Sequence, residues 1–182
     1  MVREGLSWSG NERDVALGND GTGRFVDISA SSGLDALRDG RVAAWTDVDG
    51  DGGLDLWTLS RDGARLRLLH NEARRGRFLR VSLVGNGANR DAIGARVEVR
   101  TSADGAPGVQ TLRAGHGYLA QSSKVLAFGL GDATTVASVT VRWPDGERED
   151  FSGCVADAHV RLERGAGSAV VVAPPAPIAL AE

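Results

Sequence analysis

The chain has 182 residues, enough for one large or two small domains and a sizeable hydrophobic core. Its formal net charge of -3, with arginines scattered among acids and no basic stripe, gives no electrostatic case for nucleic acid. The single cysteine, Cys154, excludes an intramolecular disulfide and a cysteine-rich zinc site, and no apolar run reaches the ~18 residues of a membrane span.

The first segment, "MVREGLSWSG", has no hydrophobic signal core. The chain is therefore expected in the cytoplasm if it is whole, and outside it if it is a piece of an exported protein. With 25 glycines and few aromatics, short strands joined by tight turns are favoured over long helices. "NDGTGRFVDIS" (19–29) predicts a hairpin, since Asp-Gly and Gly-Arg surround a turn and Phe25, Val26 and Ile28 follow. "SSGLDALRDG" is too short and broken for a helix of consequence. "VAAW" and "LDLWTLS" read as two strands flanking an acidic loop, and "RLRLLHNE" (65–72) as a half-buried strand.

That loop, within "TDVDGDGGLDLW" (46–57), carries the sharpest chemical signal. Calcium takes six to eight oxygens at ~2.3–2.6 Å, which carboxylates on alternate residues of a tight loop can supply. Asp47, Asp49, Asp51 and Asp55 fall at loop positions one, three, five and nine, with the backbone carbonyl of Gly53 at seven. Gly50 and Gly52 let the chain wrap an ion without Cβ clashes. Position twelve holds Thr58 where an EF-hand needs glutamate, so the loop is not an EF-hand. Magnesium fits less well because it keeps its waters. The spacing predicts calcium, and the competing reading is an Asp/Gly-rich turn without an ion.

Beyond residue 77, "FLRVSLVG", "GARVEVRT", "VQTLRAG", "KVLAFGLG", "VASVTVRWPDG", "REDFSG" and "HVRLERG" read as seven short strands separated by glycine-rich turns. The expected fold is all-β, an antiparallel sandwich or barrel preceded by β-hairpins. Three zones follow: 1–76 with the acidic loop, 77–165 with the strand-rich domain, and 166–182 as an Ala/Pro-rich extended tail. "AVVVA" in that tail is a candidate edge strand.

Taken together, "WTDVDGDGGLDLW" after "NDGTGRFVDISASSGL" resembles an FG-GAP/VCBS-type repeat, the blade unit of calcium-binding β-propellers. "NRDAIGARVEV", "LRAGHGYLAQSSKVLAFGLGDAT" and "VTVRWPDGE" resemble the ASPIC/UnbV domain. The pairing is that of the cartilage acidic protein family, which is widespread in bacteria and also found in animals. The resemblance implies that Asp47, Asp49, Asp51, Gly53 and Asp55 are calcium ligands. It implies no settled activity for the C-terminal domain, which occurs in matrix proteins and near natural-product biosynthetic genes. One acidic loop cannot make a closed propeller, and a lone blade cannot bury both faces. The N-terminal strands are therefore expected to cover themselves with the C-terminal domain or with a second copy, making a homo-oligomer.

Other segments offer weaker chemistry. Arg90 in "NRDAIGARV" is a candidate anion clamp, against an Asx-type turn with Arg90 paired to a nearby carboxylate. "GHGYLAQSSK" (115–124) gathers His116, Tyr118, Gln121, Ser122, Ser123 and the only lysine, Lys124. A histidine base near a hydroxyl is the minimum for acid–base or acyl chemistry, but no G-x-S-x-G elbow accompanies it. His70 and His159 lie on strand patterns and read as structural. Trp45 and Trp57 read as core, Trp143 as half exposed, and an exposed Trp8, Trp45, Trp57 or Trp143 would suit a carbohydrate. Cys154, beside Phe151 and Val155, reads as a buried, inert thiol.

The leading expectation is a calcium-stabilised binding or interaction module, its partner a protein, glycan or small molecule. The alternative is a cofactor-independent enzyme, cyclase- or isomerase-like, of natural-product metabolism, with His116, Tyr118, Arg90 and Gln121 around a pocket. Nucleic acid and a membrane span are not expected.

Overall fold

A computed structural model describes residues 12–61, 65–73 and 76–173. Trp8 and the end of the tail lie outside them. In chain order the described elements are β1 (Leu17–Asn19), β2 (Phe25–Asp27), α1 (Ser29–Ser32), β3 (Gly40–Thr46), β4 (Asp55–Ser60), β5 (Leu66–Leu69) and β6 (Arg77–Val84). Then come β7 (Arg96–Arg100), β8 (Gly108–Thr111), β9 (Leu126–Gly131), β10 (Ser138–Arg142), β11 (Arg148–Phe151), β12 (Ala158–Glu163) and β13 (Ala169–Val172). The fold is nearly all β, with no closed barrel among the described residues. No helix among the described residues is long and apolar enough to cross a membrane.

Contacts divide the chain into two units. The first contains the described residues up to Ala43 together with Trp57–Leu69. In it β1 and β2 form the hairpin expected around the Asp-Gly turn, pairing antiparallel with Gly18 opposite Val26. Asp20 Oδ1 accepts from the Thr22 N–H and hydroxyl, which holds the turn locally. The helix is a single turn ended by Gly33 in the left-handed conformation. Strands β3, β4 and β5 make a three-stranded sheet in that order.

The second unit, Ala44–Leu56 and His70 onward, holds the main core. Two four-stranded sheets form it, ordered β11-β10-β7-β8 and β13-β12-β6-β9. Alternation decides which side chains are buried: Val97, Val99, Val139 and Val141 point inward from one sheet, and Leu79, Val81, Leu83, Val160 and Leu162 from the other. Each such burial contributes about 1.5–3 kcal/mol before entropy is counted.

One feature was not legible in the strand pattern. The β6–β12 pair is parallel, with Val81 opposite Val160 and Leu83 opposite Leu162, so this sandwich is not purely antiparallel. A parallel pair needs a long crossover, and all of β7 to β11 lies within it. The edge strand in "AVVVA" is realised as β13, antiparallel to β12.

Trp143 corrects the sequence expectation. It is 2% exposed, packs edge-on against Phe151 at 6.4 Å between ring centroids, and lies under the Arg164 guanidinium at 5.7 Å. Its indole N–H donates to Glu149 Oε2 at 3.0 Å, so the buried polar edge is satisfied.

Candidate metal centre

The acidic loop runs from Asp47, after β3, to Leu54, before β4. Its aspartates fold it by accepting from its own backbone. Asp47 Oδ1 accepts from Gly50 N at 2.7 Å and Asp47 Oδ2 from Gly52 N at 2.9 Å. Asp49 Oδ1 accepts from Asp51 N at 3.2 Å, and Asp51 Oδ1 from Gly53 N at 2.9 Å. The last two are Asx-type closures, and together the four bonds wrap the chain around its own carboxylates. Gly50 and Gly52 take φ of 82° and 90°. At Gly52 a Cβ would also sit 2.2 Å from the Phe78 ring, so both conformation and space require glycine.

Asp55 closes the loop from the far side. It is 1% exposed, with Oδ2 accepting from Val48 N and Oδ1 from Asn71 N, both at 2.9 Å. Asn71 Nδ2 donates in turn to Leu54 O at 3.3 Å.

Oxygens of Asp47, Asp49 and Asp51 lie within 4.8 Å of one another, and a second group joins Asp49 and Asp55 to His70. Of the five sequence-assigned ligands, three carboxylates thus converge, Asp55 meets them through Asp49, and Gly53 is buried at the loop's inner turn.

Two basic residues complete the cluster, and the strand pattern identified neither. Arg80 on β6 is buried and pairs with Asp47 Oδ2 at 3.1 Å. His70, expected to be a structural strand histidine, places Nε2 3.1 Å from Asp49 Oδ2 and 3.8 Å from Asp55 Oδ1. Burial raises the Asp49 carboxyl, but the Asp51 N–H and His70 outweigh it and hold it below the usual carboxylate value. The hydrogen bond with Asp49 raises His70 against a smaller opposing effect of desolvation, with the charges of Asp55, Asp49 and Asp51 adding to the rise. Counting Asp47, Asp49 and Asp55 against Arg80 leaves two negative charges, or one when His70 is protonated, before Asp51 is added.

The remaining candidates are scattered. A cavity of about 330 Å³ is lined by Trp45, Leu54, Gln110, Arg113, His116 and Ser122, among others. Tyr118, Arg90 and Gln121 do not line it, so the four proposed catalytic residues are not gathered at this cavity. The 115–124 segment is held to Trp45 by two hydrogen bonds: Ser123 N donates to Trp45 O at 2.9 Å and Trp45 N to Ser122 Oγ at 3.1 Å. Trp45 is 38% exposed, more open than a core residue. Asn89 closes a wider loop than the expected Asx-type turn, accepting from Ile93 N four residues on at 3.0 Å, and the neighbouring ion pair is Lys124 with Asp91 and does not involve Arg90. His159 Nε2 lies 3.1 Å from Ser82 Oγ, in keeping with a structural role. Burial pushes the Cys154 thiol up to about 11, as expected of an inert cysteine.

Residues 85–169 match the family model described as ASPIC and UnbV. This ASPIC/UnbV segment starts after β6, takes in β7 to β12 and reaches the first residue of β13. It excludes the acidic loop and Arg80. No curated protein matches the chain.

Proposed function

We propose that the chain is a calcium-stabilised binding module, in which an ion at the 47–55 loop orders the framework beside the ASPIC/UnbV segment. Asp47, Asp49 and Asp51 would supply carboxylate oxygens, Gly53 its carbonyl, and Asp55 either a further oxygen or the clamp that holds the loop ends. The observation that carries this reading is the convergence of Asp47, Asp49 and Asp51 on a loop already wrapped by their own hydrogen bonds. Such convergence is costly without a cation, and the carboxylate and carbonyl oxygens assigned as ligands favour calcium over softer metals. The loop resembles an FG-GAP/VCBS-type repeat, and with the ASPIC/UnbV segment it supports kinship with the cartilage acidic protein family. The role follows from the donor set: the ion neutralises buried and half-buried aspartates, and activates no substrate.

The test is a melting curve in calcium and in chelator. At a calcium concentration a hundredfold above Kd, binding adds about 2.7 kcal/mol of stability. Asp49→Ala should abolish most of that gain. A melting temperature that neither chelator nor Asp49→Ala alters would overturn the assignment.

A further inference from the structure

The outer face of the β11-β10-β7-β8 sheet carries a feature that strand register alone creates. Arg142 on β10 lies directly opposite Arg148 on β11 and directly opposite Arg96 on β7. Directly opposed residues of antiparallel strands share a face, so three arginines stand in one row across three strands. All three are exposed, while Val97 and Val141, next to Arg96 and Arg142 on their strands, are buried on the opposite face. With strands about 4.8 Å apart, the row spans about 10 Å.

Like charges placed directly opposite one another are unfavourable in a sheet. Glu98 relieves the two outer members, its Oε1 lying 3.4 Å from Arg96 Nε and 3.6 Å from Arg148 Nη2. Arg142, flanked by arginine on both sides, has no acidic partner among the described residues. A solvated face would be expected to alternate its charges, but this one leaves its central cation open between two others. That arrangement suits an external anion held by neighbouring guanidinium groups, whose planar forks match sulfate and carboxylate.

We propose that the Arg96–Arg142–Arg148 row is a binding track for an anionic glycan strand, with its sulfate or carboxylate groups seated between neighbouring guanidiniums. The proposal gives a ligand class to the binding module described above and rests on that reading for the module alone, not for the metal loop.

The surrounding face favours a glycan over other polyanions. Two residues along each strand the row gives way to Asp150, Thr140 and Glu98, so acid borders the basic track on one side. A broad nucleic-acid duplex or a lipid surface would meet that acid, whereas a single narrow strand can run along the row. No aromatic side chain stands in these rows to stack a base, as single-stranded nucleic acid requires.

The test measures binding of a heparin-derived hexasaccharide and of an oligogalacturonate by the whole chain, at low and at physiological salt. Wild type should bind at least one of them, more weakly as salt rises. The sulfated and sulfate-free probes tell which anion the track prefers. Arg142→Thr should weaken binding roughly tenfold, the loss of one charge-assisted contact. Arg161→Thr, which removes an exposed arginine from β12, should change it less than about twofold if net charge is not the cause. Threonine suits a strand, and removing the central charge should raise the melting temperature of Arg142→Thr in low salt. Equal losses in both arginine variants, or no binding of either probe by wild type, would overturn the proposal. So would a single-stranded oligonucleotide that bound as tightly with the same dependence on Arg142. Arg142→Thr should keep its full calcium response, so failure of the glycan track and failure of the calcium reading are separately visible.

Discussion

Replacing Asp55 by alanine separates the backbone clamp of the acidic loop from the ion binding proposed for it. Both Asp55 oxygens accept from backbone N–H groups, Val48 N and Asn71 N, and the residue is almost fully buried. A hydrogen bond to a charged acceptor contributes about 1.5–3 kcal/mol, so losing two costs about 3–6 kcal/mol. Relief of repulsion with Asp49 returns roughly 1 kcal/mol, leaving a net loss of about 2–5 kcal/mol. For a chain of this size that lowers the melting temperature by roughly 4–20 °C. The loss should appear in chelator as well as in calcium, because the clamp acts on the protein's own backbone. Asp51→Ala provides the contrast. Asp51 is exposed and accepts from Gly53 N, so in chelator its removal should cost less than about 1 kcal/mol. In calcium it should lose most of the ion's stabilisation. Scanning calorimetry of the two variants in both buffers reads all four values. An Asp55→Ala protein that melts within about 2 °C of wild type in chelator would refute the clamp. An Asp51→Ala protein with an intact calcium response would remove Asp51 from the ligand set.

Two further expectations concern groups away from the loop. With its thiol pushed up to about 11, Cys154 should be about one part in a thousand thiolate at pH 8, and its reaction with a disulfide reagent should quicken about tenfold per pH unit up to that value. Reaction at the rate of an unfolded control at pH 8 would refute the burial argument. Burial holds His159 below its ordinary value, helped by the Arg80 charge and partly opposed by Asp47. The unfolded chain therefore binds a proton more readily, and stability present above about pH 6.5 should decline as pH falls below it. His159→Gln should flatten that limb of the denaturant-midpoint curve against pH; an unchanged slope would show that His159 does not contribute.

Much of the local structure was legible from composition and spacing. "RVEVR" and "SVTVR" alternate so plainly that β7 and β10 and their buried valines follow from period two alone. The acidic loop was equally readable, because aspartates on alternate residues among glycines close on their own backbone whatever surrounds them. The hairpin at Asp20–Gly23 belongs to the same class, its bonds spanning two residues.

Tertiary structure decided what depends on residues distant along the chain. Arg80 and His70 reached the aspartates from a separate strand and the end of another, and neither carries a local mark of that role. Trp143 read as a turn-side aromatic; it is buried because Phe151, Glu149 and Arg164 close around it. His116 failed to meet Arg90, Tyr118 and Gln121 at the cavity, since nearness in a glycine-rich segment sets no shared direction. The arginine row shows the division most clearly. Its members stand at 96, 142 and 148, so the sequence shows scattered arginines and no basic stripe. Period-two alternation sets which face each arginine takes, but only strand pairing sets which arginines stand opposite, and pairing is fixed by the burial of a core gathered from the whole domain.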